Sequence, residues 1–108
     1  MDKETENQIK ELQVLEQNLQ SILMQKQAFQ MELSETENAL EELSKANDET
    51  FKIVGNIMIK YSKENLSKDL KQKKDLLAMR LKSLDTQENS IGQKVESLRE
   101  TVLSKIKQ

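Results

Sequence analysis

The sequence predicts a mostly α chain: a long antiparallel coiled-coil helical hairpin with one β-hairpin inserted between its two helices. Two heptad stretches of similar length predict the helices, and opposite net charge in the two halves predicts that they pair with each other. A short stretch of strand-forming residues between them predicts the insertion. Only 35% of the 108 residues are hydrophobic, Pro is absent and Gly occurs twice, which suits long helices whose apolar residues are confined to a seam.

The first helix is expected over about 4–46. Eight of the ten a/d positions from 12 to 43 are apolar, including Leu12, Leu15, Leu19, Ile22, Phe29 and Leu33, with Lys26 and Thr36 as exceptions. The second helix, about 63–107, repeats this from Leu70 to Val102, again with eight of ten positions apolar and Lys74 and Glu88 interrupting. Ser62 is the expected N-cap, with Glu64 in the first turn. Residues 1–49 hold 4 basic and 12 acidic side chains, whereas residues 50–108 hold 13 and 7, so each half attracts the other. Exposed ion pairs contribute only about 0–1 kcal/mol each, so charge selects the partner while the seam supplies most of the stability. In the expected register Leu33 faces Leu77, Phe29 faces Leu81, and Lys26 falls one layer from Glu88 as a half-buried register pair.

Between the helices, about 50–62, five of thirteen residues are β-branched, and Phe51 and Tyr61 are two of the three aromatics in the chain. Gly55-Asn56 is a two-residue turn signal, pairing Val54 with Ile57, Ile53 with Met58 and Lys52 with Ile59. Such a hairpin is apolar on both faces and at best marginal alone in water, so its remaining strands must come from other subunits, closing a larger sheet or β-barrel. The assembly element is thus Phe51, Ile53, Val54, Gly55, Asn56, Ile57, Met58, Ile59 and Tyr61. The plainer alternative is a loop packed on its own coiled coil, although a helix-to-helix connection needs only about 2–8 residues.

With neither cysteine nor histidine, the chain has no disulfide, thiolate nucleophile, imidazole base or ordinary zinc site, and no cofactor is expected. A two-helix hairpin also offers no enclosed pocket, so no enzyme is expected. The charged start "MDKETENQIK" and the lack of a run near the roughly 18 apolar residues of a membrane span point to a cytoplasmic protein without membrane association. The run "KQKK" at 71–74 lacks interleaved aromatics, so nucleic acid is not an expected partner.

Read in order, "QKQ" at Gln25–Gln27, "ELSETENALEELSKANDET" leading out of the first helix, "FKIVGNIMIK" from Phe51 and "LAMRLKSLDTQE" from Leu77 resemble the prefoldin family over nearly the whole chain. The single hairpin resembles the β-type, related to archaeal β subunits and eukaryotic subunit-6 relatives; the α-type carries two. The resemblance implies a single prefoldin-like domain over 1–108 and a hetero-hexamer of two α-type and four β-type subunits. It also implies an ATP-independent chaperone that captures unfolded client proteins and delivers them to a group II chaperonin. The chain stops soon after Ile106, without the longer tail of some relatives, leaving the exact client contacts open.

Capture would fall to apolar residues off the seam near the two termini: Ile9, Val14, Leu23, Met24, Leu103 and Ile106. Apolar burial is non-directional and Met adapts its shape, as sequence-tolerant capture requires. The plainer reading of the same residues is ordinary exposed scatter, or a slightly wider seam at Ile9, Leu23 and Ile106. The competing function is a coiled-coil scaffold or assembly protein without chaperone activity.

Overall fold

The computed structural model describes residues 2–47 and 49–107. Helix α1 spans Lys3–Lys45, strands β1 and β2 span Phe51–Val54 and Ile57–Lys60, and helix α2 spans Lys63–Ile106.

Three of the four helix ends are satisfied by local contacts. The Asp2 carboxylate accepts the Thr5 amide at 2.7 Å and caps α1, and this bonding to Thr5 holds the carboxyl below its ordinary pKa. At the other end the last turn tightens, with Ala46 N–H donating to Leu43 O, and Lys63 Nζ donates to the Ala46 carbonyl at 3.0 Å. Ser62 Oγ accepts the Asn65 amide at 3.1 Å, capping α2.

The chain divides into two compact units. One contains α1 up to Gln27 and α2 from Lys82 onward; the other runs from Ala28 to Leu81 and carries the hairpin. In the first, Ile22, Leu84, Val95 and Val102 are buried and Leu12, Leu15, Leu19, Ile91 and Leu98 half-buried, the a/d stripe of a two-helix seam. Arg99 meets Glu16 at 2.9 Å and Lys105 meets Glu4 at 3.3 Å, ion pairs that set the antiparallel register along the rim. The seam also runs about two turns beyond the apolar pattern: Thr5 is buried, and Gln8 is half-buried and accepts a hydrogen bond from Lys105 at 3.0 Å.

In the second unit, Leu43, Leu77 and Thr36 are buried, with Phe29, Leu33, Leu40 and Leu81 half-buried. Thr36 is tolerated there because its hydroxyl donates to the Glu32 carbonyl at 2.8 Å, so no polar atom goes unpaired. Lys73 pairs with Glu32 at 3.2 Å, and the Arg80 guanidinium lies 5.7 Å from the Phe29 ring centroid. Lys74, a seam interruption in the sequence pattern, is exposed, its long stem carrying the charge to water.

The strands pair antiparallel in the register Phe51–Lys60, Lys52–Ile59, Ile53–Met58 and Val54–Ile57. Gly55 has φ of 63° and no other described residue has positive φ, the pattern of a type II′ turn with Gly first.

Candidate functional site

Two groups of apolar side chains lie outside the seams. The first is the hairpin, where Ile53 is 70% exposed, Ile57 65% and Met58 64%, with Phe51, Val54 and Ile59 also exposed. Alternation places Phe51, Ile53, Met58 and Lys60 on one face and Lys52, Val54, Ile57 and Ile59 on the other. Both faces are therefore apolar and wet, and both outer edges are unpaired among the described residues.

The hairpin is anchored at its base. Thr50 Oγ1 donates to the Tyr61 carbonyl at 2.6 Å, and the Tyr61 hydroxyl donates to Asp69 Oδ2 at 2.8 Å. That hydrogen bond, followed by partial burial, raises the Tyr61 pKa, since ionisation would discard a donor beside a carboxylate. Lys52 completes the cluster, 3.7 Å from Asp69 and 5.0 Å from the Tyr61 ring centroid. Phe51 and Met58 turn toward the helices, walling an open groove of about 530 Å³ with Leu43, Leu66 and Leu70.

The second group lies on the unit that holds the two helix termini. Val14, Met24, Leu103 and Ile106 are exposed, and Leu23 is less so at 38%. Leu23 floors an open groove with Leu19, beneath Glu88, Glu96 and Glu100. Ile9 is half-buried: the extension through Thr5 and Gln8 brings it beside the seam.

On the same unit, half-buried Lys26 donates to Glu88 Oε2 at 2.5 Å and lies equally close to Asp85 Oδ1. The hydrogen bond to Asp85, then that to Glu88, raises the Lys26 pKa. Asp85 is a partner that seam positions alone do not reveal; its signal is the i,i+3 spacing from Glu88, which puts both carboxylates on one helix face.

Two helices joined through an open, doubly apolar β-hairpin match known proteins over most of the chain. The family profile described as Prefoldin subunit matches residues 6–108. The chain belongs to the prefoldin family. It is 40% identical over 93 residues to the prefoldin subunit beta of Archaeoglobus fulgidus, spanning 84% of this chain and 80% of that one. To the Pyrococcus furiosus prefoldin subunit beta it is 36% identical over 94 residues, spanning 85% and 80%. The crystal structure of the prefoldin beta subunit from Thermococcus strain KS-1 is similar with a TM-score of 0.88 at 29% identity, covering 99% of this chain and 96% of that one.

Prefoldins are chaperone subunits, and membership implies assembly with other prefoldin subunits. Among the described residues no helix is long and apolar enough to cross a membrane, and no group of acidic side chains is placed to hold a metal ion.

Proposed function

We propose that this chain is the β-type subunit of a cytoplasmic hexameric prefoldin, acting as one module over residues 1–108. Its hairpin joins those of other β copies and of an α-type subunit, edge to edge, into a β-barrel. The off-seam side chains Val14, Leu23, Met24, Leu103 and Ile106, with half-buried Ile9 at the seam's margin, take up unfolded polypeptide without nucleotide, and the complex passes it to a group II chaperonin.

The observation that carries this reading is the hairpin, whose apolar residues are exposed on both faces and whose two edges lie open. A two-stranded sheet gains stability by acquiring further strands or by packing on a helix, and here Ile53, Val54, Ile57 and Met58 stay mostly exposed, which favours further strands. Capture is supported by exposed apolar side chains on the other unit that the seam does not use.

Substituting Ile57→Pro removes a backbone donor from β2 and tests the assembly reading. Mixed with an α-type subunit, the variant should elute from size exclusion as small species while keeping its helical circular dichroism. Elution identical to wild type would show that the hairpin does not assemble the complex. The wild-type complex should suppress aggregation of a denatured client at stoichiometric concentration without nucleotide, and a lack of protection would favour a scaffold.

A further inference from the structure

The groove floored by Leu19 and Leu23 is lined by a glycine that packing does not require. It encloses about 520 Å³ and lies wholly on the unit that holds the two helix termini. Gly92 lines it from the interior of α2, where glycine weakens a helix more than any residue except proline. A Cβ built at Gly92 meets nothing within 4 Å, so no neighbour forbids a side chain there. Its bareness leaves the apolar floor uncovered.

The rim also opposes the helix that carries it. Glu88, Gly92, Glu96 and Glu100 follow one another at four-residue spacing and form one stripe along α2. Glu88 is taken by Lys26. Glu96 and Glu100 have no ion-pair partner among the described residues, and Arg99 beside them is held by Glu16 at 2.9 Å. Like charges four residues apart destabilise a helix. Three successive positions of the stripe thus work against α2, and local choices that oppose a fold mark a site with another role.

We propose that this stripe binds extended segments of unfolded polypeptide in which an apolar side chain is followed, at alternate positions, by lysine or arginine. Each step from Gly92 to Glu96 and from Glu96 to Glu100 rises about 6 Å along α2. An extended chain presents side chains on one face about 6.6 Å apart. An apolar residue seated over Gly92 therefore reaches Leu19 and Leu23, while the next two side chains on its face come opposite Glu96 and Glu100. Asn89, Gln93 and Ser97 line the same groove without charge and offer hydrogen bonds to the open backbone of such a segment. Charge complementarity selects the occupant, because an acidic segment gains the floor but is repelled by the rim. The proposal rests on the capture reading and names the substrate it prefers.

The probe is an unstructured fluorescent peptide carrying tandem units of leucine with lysine two and four residues on. Its binding to the assembled complex is read by anisotropy. Wild type should bind it roughly tenfold more tightly than a counterpart with glutamate for lysine, as two exposed attractions exchanged for two repulsions allow. A counterpart with serine for leucine should also bind weakly, and added salt should narrow the lysine-to-glutamate gap. Glu96→Gln with Glu100→Gln should remove most of that gap. Gly92→Leu should melt no lower than wild type, since leucine is the better helix former, yet bind the lysine peptide several-fold more weakly. Ser90→Leu adds the same side chain to an exposed position outside the groove and should leave binding unchanged.

Equal affinity of wild type for the lysine and glutamate peptides overturns the proposal, and so does binding of neither. A charge preference that survives in the double glutamine variant assigns selection to other residues, and a Gly92→Leu complex that binds as wild type shows the groove unoccupied. An altered elution volume of that complex would make the groove a contact between copies. Each of these also overturns the proposal. Failure of the capture reading is recognised separately, by a wild-type complex that gives a denatured client no protection. A complex that protects clients yet ignores peptide charge refutes the substrate preference alone.

Discussion

Lys26 Nζ lies 2.5 Å from both Asp85 Oδ1 and Glu88 Oε2, so one ammonium at a seam position bridges two carboxylates on the facing helix. Removing the cation leaves Glu88 half-buried without a counter-charge, beside a like charge three residues away. Lys26→Met should lower the melting temperature, and Glu88→Leu in the same background should recover much of the loss. Asp85 is 57% exposed and remains solvated in either variant. Strictly additive effects in this double-mutant cycle would show that the two side chains are not coupled.

The pH dependence of that gap has a definite sign. The Lys26 pKa is raised above its ordinary value of 10.5 by the hydrogen bonds to Asp85 and Glu88. Stability gained this way is complete below the unfolded-state value and is lost as pH climbs through the raised folded-state value. The melting-temperature gap between wild type and Lys26→Met should therefore hold from neutral pH to about pH 10 and close above it. A gap already closing between pH 7 and 9 would assign the effect to something other than the lysine charge.

Gly55 isolates a backbone contribution. Its φ of 63° lies in the left-handed region, and a Cβ built there has nothing within 4 Å, so the cost of Gly55→Ala is conformational rather than steric crowding by neighbours. Holding a residue with a Cβ at the positive-φ position of a type II′ turn costs about 1–3 kcal/mol. Hydrogen exchange of the β1 and β2 amides should quicken accordingly in Gly55→Ala, and less in Gly55→Asn, while helix amides keep their protection. Equal exchange in wild type and Gly55→Ala would mean that the turn does not limit hairpin stability.

The sequence made the helices legible because seam burial imposes a period that survives two polar interruptions in each half. The hairpin register was legible for a different reason: a two-residue turn at Gly55-Asn56 leaves only one antiparallel pairing. Thr5 and Gln8 escaped because a search for apolar periodicity passes over polar residues that complete a seam by hydrogen bonding. The cluster of Lys52, Tyr61 and Asp69 escaped because it depends on the angle at which the hairpin meets α2. The apolar character of both hairpin faces was readable from alternation alone. That Phe51 and Met58 are the residues turned toward Leu43 and Leu66 was not.

The off-seam side chains give the test that separates a chaperone from a scaffold. Val14 is 55% exposed, Leu103 47% and Ile106 54%, so replacing all three with Ser leaves the buried seam residues and the hairpin in place. Assembly should survive. Each replacement removes apolar contact worth at most about 1.5–3 kcal/mol if the side chain is fully buried against a client. Several arms acting on one client chain would multiply modest individual losses through effective concentration. The triple variant should therefore suppress aggregation of a denatured client much less well than wild type at equal concentration. Leu76→Ser with Met79→Ser is the control, because these side chains are at least comparably exposed, at 49% and 70%, but lie on the unit that carries the hairpin. If this control lost as much protection as the triple variant, capture would be spread over exposed apolar surface in general and not assigned to the residues near the termini.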